Sequence, residues 1–298
     1  GWDVSNVTNM DNMFRNATDF NQPLTNWNTA NVTKMASMFN NANSFNQPLT
    51  TNGNKWNVSN VYDFHAMFKS TTGNIFNQDI SNWNVSSGTR FIEMFYNAHA
   101  FQQDLSNWTF TDDASKNIDA YGMFRSMTVF NSPLNWGSKT VRFTNTAAMF
   151  WDTPNFNQDI SEWDTSNVTN MNAMFHGATA FNQAIPTDGS KWDVSKVTNM
   201  INMFDDADAF QQDLSTWDFD AVTGSSTGFN NFLINKTGDN KYNTTYYNSL
   251  LERIEATNEE TDLQLHAGGA SGAEPTGAGD TARAALITRG WTITDADS

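Results

Sequence analysis

Four imidazoles in this sequence could ligate a metal or relay a proton: His65, His99, His176 and His266. Zinc sites draw ligands from short, fixed spacings within one helix or turn. No two of these histidines stand at such a spacing, and they fall at unrelated positions of the pattern described below. Neither ligation nor proton transfer is expected of them. GGASG at 268–272 lacks the G-x-S-x-G spacing of a nucleophile elbow, and no glycine loop for phosphate is present. The aspartates are better ordered. Asp79, Asp104, Asp159 and Asp213 each follow Asn-Gln or Gln-Gln, whereas Asp3, Asp164, Asp193 and Asp218 each follow a tryptophan. Carboxylates repeated in register repel unless they are solvated, bonded to backbone N–H groups or bridged by Ca²⁺. Capping of loop N–H groups is the expected role; Ca²⁺ is the alternative, without a D-x-D-x-D-G loop to support it. No catalytic residue, metal ligand or cofactor is assigned, and the chain is expected not to be an enzyme.

The order of the aspartates comes from a repeat. WDVSNVTNM (2–10) returns as WDTSNVTNM (163–171) and WDVSKVTNM (192–200). Tryptophans recur from Trp2 to Trp217 in steps of 25 to 29 residues, with a Met-Phe pair in each of eight units and a further Phe at 20, 45, 76, 101, 130, 156, 181 and 210. Three anchors in fixed order at this period indicate a solenoid whose units each pack on their neighbours. In VTNMDNMFRNA (7–17) the apolar residues Val7, Met10, Met13, Phe14 and Ala17 predict one face of a short helix, capped by Ser5 or Asn6. The stretch 20–27 reads as an extended segment. The expected fold is therefore an α/β solenoid: a leucine-rich-repeat-like stack of short strand plus short helix or 3₁₀ units, forming a parallel sheet. Asn21, Asn46, Asn77, Gln102, Asn131, Asn157, Asn182 and Gln211 share one position, where a buried column of amides would satisfy itself without charge. The tryptophans are read as core in preference to an exposed sugar-stacking stripe.

The pattern VTNMxxMFxxA, joined to FNQDISNWNVS (76–86), resembles the BspA-like bacterial surface leucine-rich-repeat proteins. The resemblance covers roughly residues 1–235. YNSLLERIEAT (247–257) and TARAALITRGWTITD (281–295) are similar to the segment that ends such arrays. The resemblance implies a leucine-rich-repeat solenoid, secreted or exposed at a cell surface, whose activities are adhesion and protein binding. Units five and six, TDDASKNIDAYGMF (111–124) and GSKTVRFTNTAAMF (137–150), lose the VTNM phrase. Two regions are expected: the solenoid of about nine units over 1–235, and a C-terminal helical cap over 236–298 that covers the open end.

Bulk properties narrow the function. Lys and Arg number 16 against 32 Asp and Glu, a formal charge of −16. That charge disfavours nucleic acid and anionic membranes as partners. Cysteine is absent, so no disulfide forms, and no apolar run is long enough to insert in a membrane. Gly1-Trp2 opens in mid-phrase, so the chain reads as part of something longer. Two insertions, TTNGNKW (50–56) and PTDGSKW (186–192), lengthen the same part of the unit. Insertions in solenoids project from one face, and that face often binds. Asn52, Gly53, Asn54, Lys55, Asp188, Gly189, Ser190 and Lys191 are thus the candidate ligand-binding residues. The expected function is extracellular recognition or adhesion at a cell or virion surface, with a surface protein or glycan as partner. A structural spacer or viral tail-fibre or spike segment is the alternative from another class. A polysaccharide hydrolase would need a carboxylate pair that an even ladder does not single out.

Overall fold

The computed structural model describes residues 2–187, 191–223, 228–234, 241–268 and 272–296. Each unit lies against the next through its backbone. The amides of Met10, Asn12, Phe14 and Asn16 donate to the carbonyls of Lys34, Ala36, Met38 and Asn40 at 2.8–2.9 Å. Met35, Ser37, Phe39 and Asn41 repeat this onto Asp63, His65, Met67 and Lys69 at 2.7–3.0 Å. The same four rungs continue to Met200, Asn202, Phe204 and Asp206.

These lateral bonds explain why no helix forms at 7–17 or its equivalents. A helix directs every N–H along its own axis, whereas here alternate amides point at the neighbouring unit. Only the intervening amides bond within the unit, Met13 to Met10, Arg15 to Asn12 and Ala17 to Phe14. The result is a run of consecutive turns with positive φ at Asn12 (62°) and Asn16 (61°). The equivalent residues Ser37, Asn41, Glu93, Asn97, Gly122, Ser126, Asn202 and Asp206 share that sign. Asn, Asp and Gly tolerate it best.

The parallel pairing also sits elsewhere than expected. It runs through Asn9, Lys34, Asp63, Arg90 and Asp119, then through Asn145, Asn170 and Asn199, and not through the segment 20–27. Only in units five and six does it lengthen into strands, β1 (Ile118–Asp119) and β2 (Phe143–Asn145).

Between the turns lies a core of stacked rings. Phe14, Phe39, Phe68, Phe95, Phe124, Phe150, Phe175 and Phe204 follow one another at centroid separations of 5.6–5.8 Å. A second phenylalanine column, from Phe20 to Phe210, ends on Tyr242. From Trp56 to Trp217 the repeat tryptophans are buried, and all but Trp192 direct the indole N–H to the preceding unit: Trp83 donates to Leu49 O at 2.8 Å and Trp163 to Leu134 O at 2.9 Å. The amide column is ordered too, but at the surface. Asn46 Oδ1 accepts from Asn77 N (3.0 Å) and Gln78 Nε2 (2.9 Å), and Asn157 Oδ1 serves Asn182 and Gln183 in the same way, all on exposed or half-buried residues.

After the repeats come α1 (Thr244–Thr257), β3 (Gln264–His266), α2 (Ala278–Thr288) and β4 (Thr292–Thr294). Asn243 caps α1 by accepting from Thr245 N and Tyr246 N. Leu265 of β3 pairs in parallel with Phe229 of the last repeat and with Ile293 of β4, so this segment prolongs the repeat ladder. The buried Asp295 carboxylate ties its parts together, accepting from Tyr247 Oη at 2.7 Å and from Arg283 at 2.9 Å. Gly279 lets α2 close on α1, since a Cβ there would lie 2.2 Å from Asn248 Oδ1. No helix among the described residues is long and apolar enough to cross a membrane.

Candidate functional site

The stacked columns divide into those whose residue type is constant and those that change from unit to unit. Constant columns have packing or backbone roles that account for them. Asp79, Asp104, Asp159 and Asp213 accept from the amides of Ser81, Ser106, Ser161 and Ser215 at 2.8–2.9 Å. Asp3, Asp164, Asp193 and Asp218 do the same two residues on. Asn and Asp side chains suit such turns because they satisfy an N–H that no helix or sheet takes up. The Ser81 hydroxyl and amide hold the Asp79 carboxyl below its usual pKa.

One column is different. The residue directly after Met-Phe reads Arg15, Asn40, Lys69, Tyr96, Arg125, Trp151, His176 and Asp205. It changes at almost every step, and from Lys69 onward its members form a continuous file of contacts. Lys69 Nζ stands 4.6 Å from the Tyr96 ring centroid and 2.5 Å from Glu93 Oε2. The Arg125 guanidinium lies between two rings, 5.4 Å from that of Tyr96 and 3.7 Å from that of Trp151. Trp151 meets His176 edge-on at 5.0 Å, and His176 Nδ1 is 3.1 Å from Asp205 Oδ2. Lys69, Tyr96, Arg125, Trp151 and His176 are all half-buried. Each offers a ring face, a guanidinium edge or an ammonium on a chain whose net charge is strongly negative. Cation–π contacts of this kind hold long side chains in fixed places, so a ligand would meet a preorganised surface.

Where that file ends, three ligating groups converge. His176, Asp205 and Asp206 present a ring nitrogen and two carboxylate oxygens within 4.8 Å of one another. Asp205 raises the His176 pKa by hydrogen bonding and by its charge, with Asp152 and Asp206 adding to it and burial opposing it. The other shifted histidines go the opposite way, His65 and His266 both being lowered by burial.

The insertions lie on another part of the unit, before the tryptophan. Asn52 and Lys55 pair as a tight hairpin, with N–H···O bonds of 3.0 and 3.1 Å in the two directions. Gly53 takes φ 60° at its first central position, as a II′ turn requires. Lys55 Nζ reaches Asn26 Oδ1 at 3.1 Å, and all of Asn52, Gly53, Asn54 and Lys55 are exposed. In the second insertion Asp188, Gly189 and Ser190 lie outside the described residues. Its Lys191 pairs with Glu162 at 2.8 Å. Both lysines therefore touch the residue that precedes tryptophan in the unit before. Neither insertion contacts the file after Met-Phe among the described residues. Aligning the repeats on Met-Phe shows that file as a variable column rich in cations and rings, beside the equally variable column of Asp11, Ala36, His65, Ile92 and Tyr121.

The sequence profile of a family described as "Mycoplasma protein of unknown function, DUF285" matches residues 1–72, 49–136 and 118–242. No curated protein and no solved structure matches the chain.

Proposed function

The chain belongs to this DUF285 family, a family of repeat proteins, and on that premise we propose that it is a non-enzymatic extracellular recognition module. In this reading the stacked units are a solenoid of the leucine-rich-repeat kind, akin to BspA-like surface proteins. Residues from 236 onward cap it. The partner is a surface protein or a glycan at a cell or virion surface. One observation carries the reading: the file Lys69, Tyr96, Arg125 and Trp151, cations and rings from successive units in mutual contact along the stack. Aromatic faces stack on sugar rings or apolar side chains, and fixed cations select acidic or hydroxylated groups. An evenly spaced file would bind by several moderate contacts.

The test is retention of the fluorescently tagged chain on whole cells and on a glycan panel, beside a Tyr96→Ala/Trp151→Ala variant with an unchanged circular dichroism spectrum. Saturable retention that the variant loses supports the proposal, and the panel tells glycan from protein. Retention unaffected by the variant moves binding off this file. Absence of retention, with elongated assemblies in light scattering, points to a structural spacer.

A further inference from the structure

We propose that His176, Asp205 and Asp206 form a binding site for one divalent transition-metal ion of the zinc or manganese class. The donors come from two adjacent units, and the stack sets their approach. His176 N donates to Ala173 O, Asp152 N to His176 O and Gly177 N to Asp205 O, so the backbones carrying these side chains are mutually fixed. His176 Nδ1 has no solvent access, and its close partner is Asp205 Oδ2 at 3.1 Å. With the ring neutral, a nitrogen and a carboxylate oxygen at that distance have the spacing of two ligands on one cation; with the ring protonated, the same pair is an ion pair. Ligands at about 2.0–2.2 Å from zinc stand roughly 3–4 Å apart. The observed spread is within 4.8 Å.

Gly177 supplies a second observation. It follows His176 at φ 67°, and a Cβ there would come within 2.5 Å of Asp152 Oδ1. The bare glycine thus lets a third carboxylate, from the unit before, rest against the backbone next to His176. Asp205 and Asp206 have further contacts of their own, so the assignment rests on donor geometry and not on uncompensated charge. Donor chemistry selects the ion: calcium and magnesium favour all-oxygen shells, whereas imidazole with carboxylates suits zinc, manganese or iron. Three protein donors also leave a coordination position open. The ordinary alternative is that His176 and Asp205 form an ion pair and nothing more.

The test is calorimetric titration of the chelator-stripped chain with zinc chloride and with manganese chloride, alongside thermal melts. Two variants accompany it. His176→Gln keeps the size of the side chain. Asp206→Asn places asparagine at φ 54°, a backbone region that it adopts readily, so both are expected to fold. The expected result is one saturable equivalent, a melting temperature raised by metal, and affinity reduced at least about tenfold in each variant. No saturable binding, or binding of equal affinity in His176→Gln, overturns the proposal and leaves an ion pair only. Because the readouts are calorimetry and melting, the result does not depend on whether the surface file binds a partner.

Discussion

The tryptophan column contains its own control. Trp163 and Trp192 are buried to the same degree, at 1% and 0% exposure, and occupy the same place in successive units. Trp163 Nε1 donates to Leu134 O at 2.9 Å, as its counterparts at 56, 83, 108, 136 and 217 do to their own preceding units. Trp192 Nε1 is buried without a partner. Replacing either by phenylalanine deletes similar volume, and the cavity cost cancels when the two are compared. The hydrogen bond does not cancel. Trp163→Phe removes the indole donor from the Leu134 carbonyl, which keeps the Trp136 amide at 2.7 Å, so the loss is that of one hydrogen bond, about 0.5–1.5 kcal/mol. Trp192→Phe removes an N–H that was already unsatisfied and so forfeits no such bond. Trp163→Phe should therefore be the less stable variant by about 0.5–1.5 kcal/mol. Urea denaturation followed by far-ultraviolet circular dichroism measures this, provided that the m-values of the two variants agree. Equal destabilisation would refute the reasoning, because ring volume alone would then set the column's contribution.

Three other outcomes are expected. Gly279→Ala should lower stability by about 1–3 kcal/mol, since its Cβ would meet Asn248 Oδ1 at 2.2 Å. Gly122→Ala, whose Cβ would find Glu93 Cγ at 3.4 Å, should cost only the positive-φ penalty of about 1 kcal/mol; thermal melts of both test the order. Burial lowers the His65 pKa from 6.5, so the folded chain binds its proton less readily than the unfolded one. Its contribution to stability is complete above pH 6.5 and is lost as pH falls through the lowered value, so His65→Gln should melt with a shallower slope on the acid side. Lys55→Ala/Lys191→Ala should change stability by less than about 0.5 kcal/mol, because exposed ion pairs contribute little. The same variant should weaken cell or glycan retention less than Tyr96→Ala/Trp151→Ala does, and a larger effect would move the binding surface to the insertions.

Much of the architecture could be read from the anchors. The phenylalanine, methionine and tryptophan columns stack where their spacing puts them, and the leucines of 247–257 lie on a helix. The local conformation at 7–17 could not be read the same way. Val7, Met10, Met13, Phe14 and Ala17 fit a helical face, but turns that advance three or four residues per step yield nearly the same period. The signal that separates them lies mainly at the second position, Asn16, Asn41, Asn97, Asp152, Gly177 and Asp206, since the first is Ala66, Glu93, Ala148 or Ala173 in half of the units. Residues that accept positive φ there in unit after unit belong to turns. The amide column also changes meaning. With alternate N–H groups directed between units, the loop 20–27 has donors left over, and Asn21, Asn46 and Asn77 accept them at the surface instead of filling the core.

The chemistry of the molecule is invisible to any search along the chain. His176 and Asp205 are a whole unit apart, 29 residues, so no window that seeks paired ligands includes both. Stacking makes a one-unit step the shortest path between side chains, and the register, not the sequence interval, decides which groups meet. The columns that build the stack are constrained by backbone bonds and ring contacts on both sides. The position after Met-Phe shares the backbone bonds, but its side chain lies at the edge of the core, so its residue type is free to vary without loss of fold. Lys69, Tyr96, Arg125, Trp151, His176 and Asp205 vary there and nevertheless touch in sequence, each on the next. Free variation alone would scatter unrelated side chains along that edge. Alternation of cation, ring, cation, ring, imidazole and carboxylate is an arrangement in which every neighbour is electrostatically matched, and it gives this face its claim to be the working surface.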